Sequence, residues 1–278
     1  MGASPRWSLA GVNVDGVQPA MAGPERIHRS RFELKYIVSE RCAQAIRDFS
    51  RRYVEPDAYA RLASDHTYAV SSLYLDSPDL ALCRATLDGH KRRFKLRIRV
   101  YDHAVEGPVF FEIKRRVDNV ILKERAAVRR SSVRRLLAGH RPRSVDLVEP
   151  HPESFTILQR FCDLRATVEA RGQVVVSYLR EAYVAPNGER VRLTFDRKLS
   201  ACTSNGALAL NSPGNGFHPR LGGLILELKF TDRFPSWMSE LVEMFDLQRG
   251  RMPKYVTCMQ ALRTSEFRAM TKRQRVDA

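Results

Sequence analysis

The chain repeatedly alternates a charged residue with an apolar one, and the charged partner is usually lysine or arginine. Lys95-Leu96-Arg97-Ile98-Arg99-Val100 is the clearest case. Arg31-Phe32-Glu33-Leu34-Lys35-Tyr36, Phe111-Glu112-Ile113-Lys114, Leu122-Lys123-Glu124-Arg125, Arg190 to Asp196 and Leu226-Glu227-Leu228-Lys229-Phe230 repeat it. A period of two is extended backbone with one apolar and one charged face. A half-solvated antiparallel sheet shows the same alternation, but its polar face is ordinarily a mixture of Thr, Ser and Gln. Here Lys and Arg recur two apart, with an occasional Glu. If these strands share a sheet that curls on itself, their charged faces line one cationic cavity dotted with carboxylates. Such a cavity suits a polyanion and a metal ion.

The 278 residues suit one large domain when strands dominate throughout, and a hydrophobic content of 44% supports a proper core. No apolar run approaches the roughly 20 residues that span a bilayer. Residues 1–29 are rich in Gly, Pro, Ala and Ser without a secretory apolar stretch, and read as a disordered leader. A single domain is expected over 30–265 and a basic tail over 266–278. The five cysteines are scattered with no C-x-x-C pair, which points to reduced thiols in a cytoplasm rather than disulfides or zinc. Net charge is +16, from 47 Lys and Arg against 31 Asp and Glu, so the partner is an anion. Nucleic acid ranks last among the anions, because the charge lies within strands lacking interleaved aromatics for base stacking.

Eight strands are expected, at 31–38, 68–76, 93–101, 108–115, 119–129, 174–184, 190–199 and 224–230. Asp118-Asn119 and Pro186-Asn187-Gly188 read as hairpin turns. Ser39 is an N-cap for a helix that would bury Ala45, Ile46, Phe49 and Tyr53. Pro78 starts a short helix or turn, and further helices follow Ser131 or Ser132, fill 153–165, begin near Pro235 and follow Tyr255. Residues 203–223, rich in Gly, Asn and Pro, read as a mobile loop. The strands are antiparallel where turns can be read, and eight is near the number at which a closed barrel holds side chains plus a small ligand. The expected class is therefore α+β, mainly antiparallel β, with an eight-stranded closed β-tunnel and flanking helices.

Same-face neighbours on a strand lie roughly 6.5–7 Å apart, so Lys95, Arg97 and Arg99 can track a triphosphate or a longer phosphate chain. Arg grips phosphate oxygens with a planar fork and Lys acts as a point charge. A solvated sheet face is the ordinary alternative, but recurrence on neighbouring strands argues against it, since adjacent cations on one surface repel unless an anion is bound. Glu33, Glu112 and Glu227 each precede a lysine by two residues. For Glu33 and Glu112 internal ion pairs explain that spacing as well as Mg²⁺ or Mn²⁺ binding does. The chain contains neither G-x-x-x-x-G-K-[ST] nor G-x-G-x-x-G, and Gly214-Asn215-Gly216 lacks a strand–helix context. No Ser or Cys nucleophile stands out.

At these residues the chain resembles the catalytic domain of the vacuolar transporter chaperone (VTC) polyphosphate polymerases, within the triphosphate tunnel metalloenzyme (CYTH-like) superfamily. The matching pieces are Arg31 to Tyr36, Ser72 to Ser77, Lys95 to Tyr101, Phe111 to Lys114, Lys123 to Arg125, Arg180 to Tyr183, Arg192 to Asp196, Ile225 to Phe230 and Pro253 to Tyr255. The resemblance implies an eight-stranded tunnel, basic inside, that transfers the ATP γ-phosphoryl group to a growing polyphosphate end and releases ADP. It implies phosphate contacts from Lys35, Tyr36, Lys95, Arg97, Arg99, Lys114, Lys123, Arg125, Arg180 and Arg192. Glu227, helped by Glu33 and Glu112, would hold Mn²⁺ or Mg²⁺, and Lys229 and Lys254 would guide the product chain. Lys35, Arg97, Arg99, Lys114, Arg192 and Glu227 would carry the chemistry. The partners implied are ATP and polyphosphate, with association with a membrane partner left open.

Two positions depart from the pattern. Related triphosphatases carry E-x-E-x-K on the first strand, where this chain has Arg31 in the first acidic place. Fewer carboxylates favour the polymerase over a tunnel triphosphatase acting on ATP or inorganic tri- or polyphosphate. The family's Ser before the last Lys-Tyr is Pro253 here. A non-catalytic polyphosphate or nucleotide sensor is the third reading.

Overall fold

The computed structural model describes residues 31–101, 107–118, 120–186, 190–204, 216–250 and 252–264. The expected leader, the basic tail, Asn119, Asn187-Gly188 and most of the 203–223 loop lie outside the described residues.

The alternating segments become the strands β1 (Arg31–Val38), β3 (Thr67–Asp76), β4 (Arg92–Tyr101), β5 (Val109–Val117), β6 (Val120–Val128), β7 (Arg171–Val184), β8 (Arg192–Thr203) and β9 (Leu224–Thr231). A two-residue strand, β2 (Glu55–Pro56), adds to β7. The ladder order is β1-β9-β8-β7-β3-β4-β5-β6, with antiparallel pairing at every step. The β5–β6 turn is the expected two-residue one: Val117 pairs Val120, and Asp118 takes a φ of 52°, as a tight hairpin requires.

The expected closure is corrected in one respect. The sheet curls until β1 and β6 approach within 8 Å between Cα atoms, yet the hydrogen-bonded order starts at one and ends at the other. Lys114, Lys123 and Arg125 stand on the β5–β6 side of this seam. The seam is spanned by side chains instead, with Lys114 on β5 reaching Glu33 on β1 at 3.0 Å.

Apolar residues of the opposite parity face outward and are covered by helices. Leu96, Ile98, Phe111 and Ile113 pack beneath α3 (Arg130–Leu137) and α4 (Pro152–Thr167), where Leu136, Leu158 and Phe161 meet them. On the other flank Tyr36, Leu193, Phe195, Leu226 and Leu228 pack against α1 (Glu40–Ser50) and α5 (Ser236–Met244). Ser39 caps α1 as expected, accepting from the Cys42 amide at 3.1 Å. The buried face of α1 is Ala43, Ile46 and Phe49. Ala45 is exposed, because it lies about 100° around the helix from Ile46, and Tyr53 lies past the helix end, stacked on Trp237. A last helix, α6 (254–264), enters the concave side, where Tyr255, Val256, Cys258 and Leu262 join Tyr74, Val174, Val176 and Ile225. Before it, α2 (Ala81–Leu87) is fastened by buried Asp76, which accepts from the Leu82 and Cys83 amides at 2.9 and 2.8 Å.

Candidate functional site

The charged parity points into the concavity, and antiparallel register arranges it in rungs. Lys95, Lys114 and Lys123 are register partners across β4, β5 and β6; the next rung is Arg97, Glu112 and Arg125. On the opposite wall Glu33 faces Lys229, which faces Arg192, and Lys35 faces Glu227. Arg180 of β7 lies opposite Asp196 of β8.

The wall built by β1, β7, β8 and β9 neutralises itself. Glu227, 3% exposed, is met by Lys254 at 2.6 Å, Lys35 at 3.1 Å, Arg180 at 3.5 Å and also by Lys229. Asp196 takes a bidentate pair from Arg180, both contacts at 2.7 Å, and a third from Lys254 at 2.6 Å. Lys35 also reaches Glu33 at 2.9 Å. Arg192 is held by buried Asp57 and by the Tyr68 hydroxyl. Burial would raise the carboxyl pKa values of Glu33, Asp196 and Glu227, but the surrounding cations outweigh it and hold all three below the usual range.

The β4–β5–β6 wall is different. Glu112, fully buried, accepts from Arg97 at 2.6 Å and pairs with Lys123 at 2.6 Å, so it too stays ionised against the cost of burial. Arg99, 4% exposed, has no carboxylate partner among the described residues; its guanidinium donates to Ser72 Oγ at 2.9 Å and the Tyr178 hydroxyl at 3.1 Å. Lys95 likewise forms no ion pair among the described residues, and burial, with Lys114 and Lys35 nearby, brings its pKa down to about 7. Arg125 lies over the Phe110 ring, 4.8 Å from its centroid. This wall therefore carries cationic surplus in a half-buried setting, which is costly without an anion.

The structure brings together Lys35, Lys95, Arg97, Arg99, Lys114, Lys123, Arg125, Arg180, Arg192, Lys229 and Lys254 around one concavity. Tyr36 is a correction: adjacent to Lys35, it points the opposite way and is buried in the apolar cluster beneath α1. A phosphate contact inside the tunnel is incompatible with that parity. Asp196, Asp57, Tyr178 and Ser72 belong to the site although none was singled out from the sequence. Asp196 and Tyr178 share the parity of Arg192 and Arg180, which is the signal that would have found them.

The glutamates were also expected to act as one metal-binding set. Among the described residues no three acidic, His or Cys side chains converge, because cations stand between the carboxylates. Glu112 is sealed between Arg97 and Lys123. Glu33 and Glu227 are brought near each other, both contacting the Lys35 ammonium. Both Glu227 oxygens are engaged by cations, so these two carboxylates fit an Mg²⁺ or Mn²⁺ ion once Lys35 and Lys229 turn from them to a phosphate substrate that shares the ion.

No curated protein matches the chain. Solved structures resemble it at low identity. A candidate adenylate cyclase from Bacillus halodurans is 13% identical with a TM-score of 0.45, covering 80% of this chain and 92% of its own. A candidate adenylyl cyclase from Hippeastrum with a dominant triphosphatase activity is 13% identical with a TM-score of 0.45, covering 84% of this chain and 95% of its own. Among the described residues no helix is long and apolar enough to cross a membrane. The VTC domain profile matches residues 30–263, nearly the whole described span, and the chain belongs to the VTC domain family.

Proposed function

We propose that the protein transfers the γ-phosphoryl group of ATP to the end of a polyphosphate chain and releases ADP. The observation that carries this reading is the surplus wall. Lys95 and Arg99 flank Arg97 on one strand face and form no ion pair with a carboxylate among the described residues, so a linear phosphate chain laid along that face supplies the missing anions. Arg97, Arg99, Lys95, Lys114, Lys123 and Arg125 would clamp it from one side, and Lys35, Arg180, Arg192, Lys229 and Lys254 from the other.

The choice of transfer over hydrolysis is supported by the carboxylates. Glu33, Glu112, Asp196 and Glu227 are all held below the usual range by their cations, so none of them is tuned to take a proton from water near neutral pH. A polyphosphate end is already anionic and attacks without losing a proton to the protein. Glu227, with Glu33 beside it, would hold Mg²⁺ or Mn²⁺, which supplies charge neutralisation on the reacting phosphates. Incubation with ATP and Mn²⁺, with products resolved by gel and phosphorus NMR, should give ADP and a long anionic polymer. Orthophosphate as the only phosphate product would replace the reading by a tunnel triphosphatase, and binding without ATP consumption would replace it by a sensor.

A further inference from the structure

We infer that the ring cluster at the end of the β4 cation row, built on Tyr59 and Tyr101, is a stacking platform for the base of a nucleoside triphosphate. This deepens the reading above and rests on it. Lys95, Arg97, Arg99 and Tyr101 are alternate residues of β4, so they follow one another on one face at about 6.5 Å intervals. Arg99 lies over the Tyr101 ring, its guanidinium carbon 5.7 Å from the centroid. The phosphate row therefore runs directly into an aromatic surface.

That surface extends beyond Tyr101. Tyr59, from the short segment between β2 and β3, stacks on Tyr101 with centroids 5.2 Å apart and planes 25° apart. Tyr68 and Phe110 abut them, at 5.4 Å from Tyr59 and 5.5 Å from Tyr101. Tyr59 is 40% exposed, and an accessible ring beside cationic side chains is the chemistry that holds a base. Beside the row, Tyr74, the register partner of Arg97, is buried and stacked on Tyr255 of α6 at 4.7 Å, so its ring is not open to a base. A triphosphate laid along Lys95, Arg97 and Arg99 with its α-phosphate at Arg99 brings its nucleoside to the Tyr59–Tyr101 end. The site then distinguishes a nucleotide from an inorganic phosphate chain of equal charge.

Calorimetric titration of ATP and of inorganic tripolyphosphate, both with EDTA to prevent turnover, tests this on wild type, Tyr59→Ala and Tyr59→Phe. Base stacking of about 1–3 kcal/mol corresponds to roughly a 5- to 150-fold weakening of ATP by Tyr59→Ala. Tripolyphosphate binding should be unchanged, which also certifies the fold of the variant, and Tyr59→Phe should bind ATP like wild type. Unchanged ATP binding by Tyr59→Ala, or equal weakening of both ligands, overturns the platform. Failure of wild type to bind either ligand overturns the tunnel reading itself, a result distinct from loss of the nucleotide preference alone.

Discussion

The two walls of the concavity are built from the same residue types at the same spacing, yet they are in opposite electrostatic states. On the β1–β9–β8–β7 wall every inward carboxylate is engaged by cations, up to four around Glu227 alone. On the β4 wall Lys95 and Arg99 form no direct ion pair with a carboxylate among the described residues. The difference teaches that cation count alone does not identify a phosphate site. Cations on the first wall are already paired with its carboxylates and offer a ligand only what those pairs leave, whereas Lys95 and Arg99 on the second form no such pair.

The largest effects should follow from disturbing the neutralised wall. Replacing Glu227 with Gln removes the common partner of Lys35, Lys229 and Lys254, and ATP turnover should be abolished. Thermal denaturation should show a loss approaching the ~3–5 kcal/mol typical of a broken buried ion pair; wild-type turnover would remove Glu227 from the site. Arg180→Met leaves Asp196 with Lys254 alone and should destabilise by a similar amount. Arg99→Met, on the surplus wall, should show a different pattern. Stability should fall by less than in Arg180→Met, because only the neutral Ser72 and Tyr178 hydroxyls lose a partner, while tripolyphosphate affinity falls by about ten- to a hundredfold, the worth of a charge-assisted contact. Equal destabilisation by both arginine variants would erase the contrast between the walls.

A pH series sharpens it further. The free Lys95 ammonium titrates near 7, below the usual lysine range. Its cost to the folded state is fully present below pH 7 and fades as pH rises toward the unfolded value of about 10.4. Phosphate binding restores the charge, so tripolyphosphate affinity should fall as pH rises above 7, by at most about tenfold per unit, with proton uptake measurable by calorimetry in buffers of different ionisation heat. Lys95→Met should reduce that slope to the part carried by Lys229 and Lys123, whose pKa values burial lowers to about 7 and about 8. The smallest effect is expected from Ser72→Ala, which removes one neutral partner of Arg99 at 2.9 Å. Phosphate affinity should drop by no more than about tenfold, measured by the same titration.

The eight strands and the inward set were legible because a period of two is a local property of the chain. The same rule shows where motif adjacency misled: Tyr36 follows Lys35 by one residue and must face the other way. Asp196 was readable from its parity with Arg192 but stood out less than the lysines. Which cations are neutralised was not legible. Glu33 meets Lys114 from β5 and Asp196 meets Lys254 from α6, pairings between elements remote in sequence. Nor was the open seam, since closure depends on how far the sheet curls. The phase of α1 was misread at Ala45 because alanine carries little apolar signal.

A crystal structure of the protein with inorganic tripolyphosphate tests the central contrast most directly. The account predicts phosphates in a row within hydrogen-bond distance of Lys95, Arg97 and Arg99, with the Arg180–Asp196 pair intact. A chain bound only on the β8–β9 wall, leaving Lys95 and Arg99 without an anion, would contradict it.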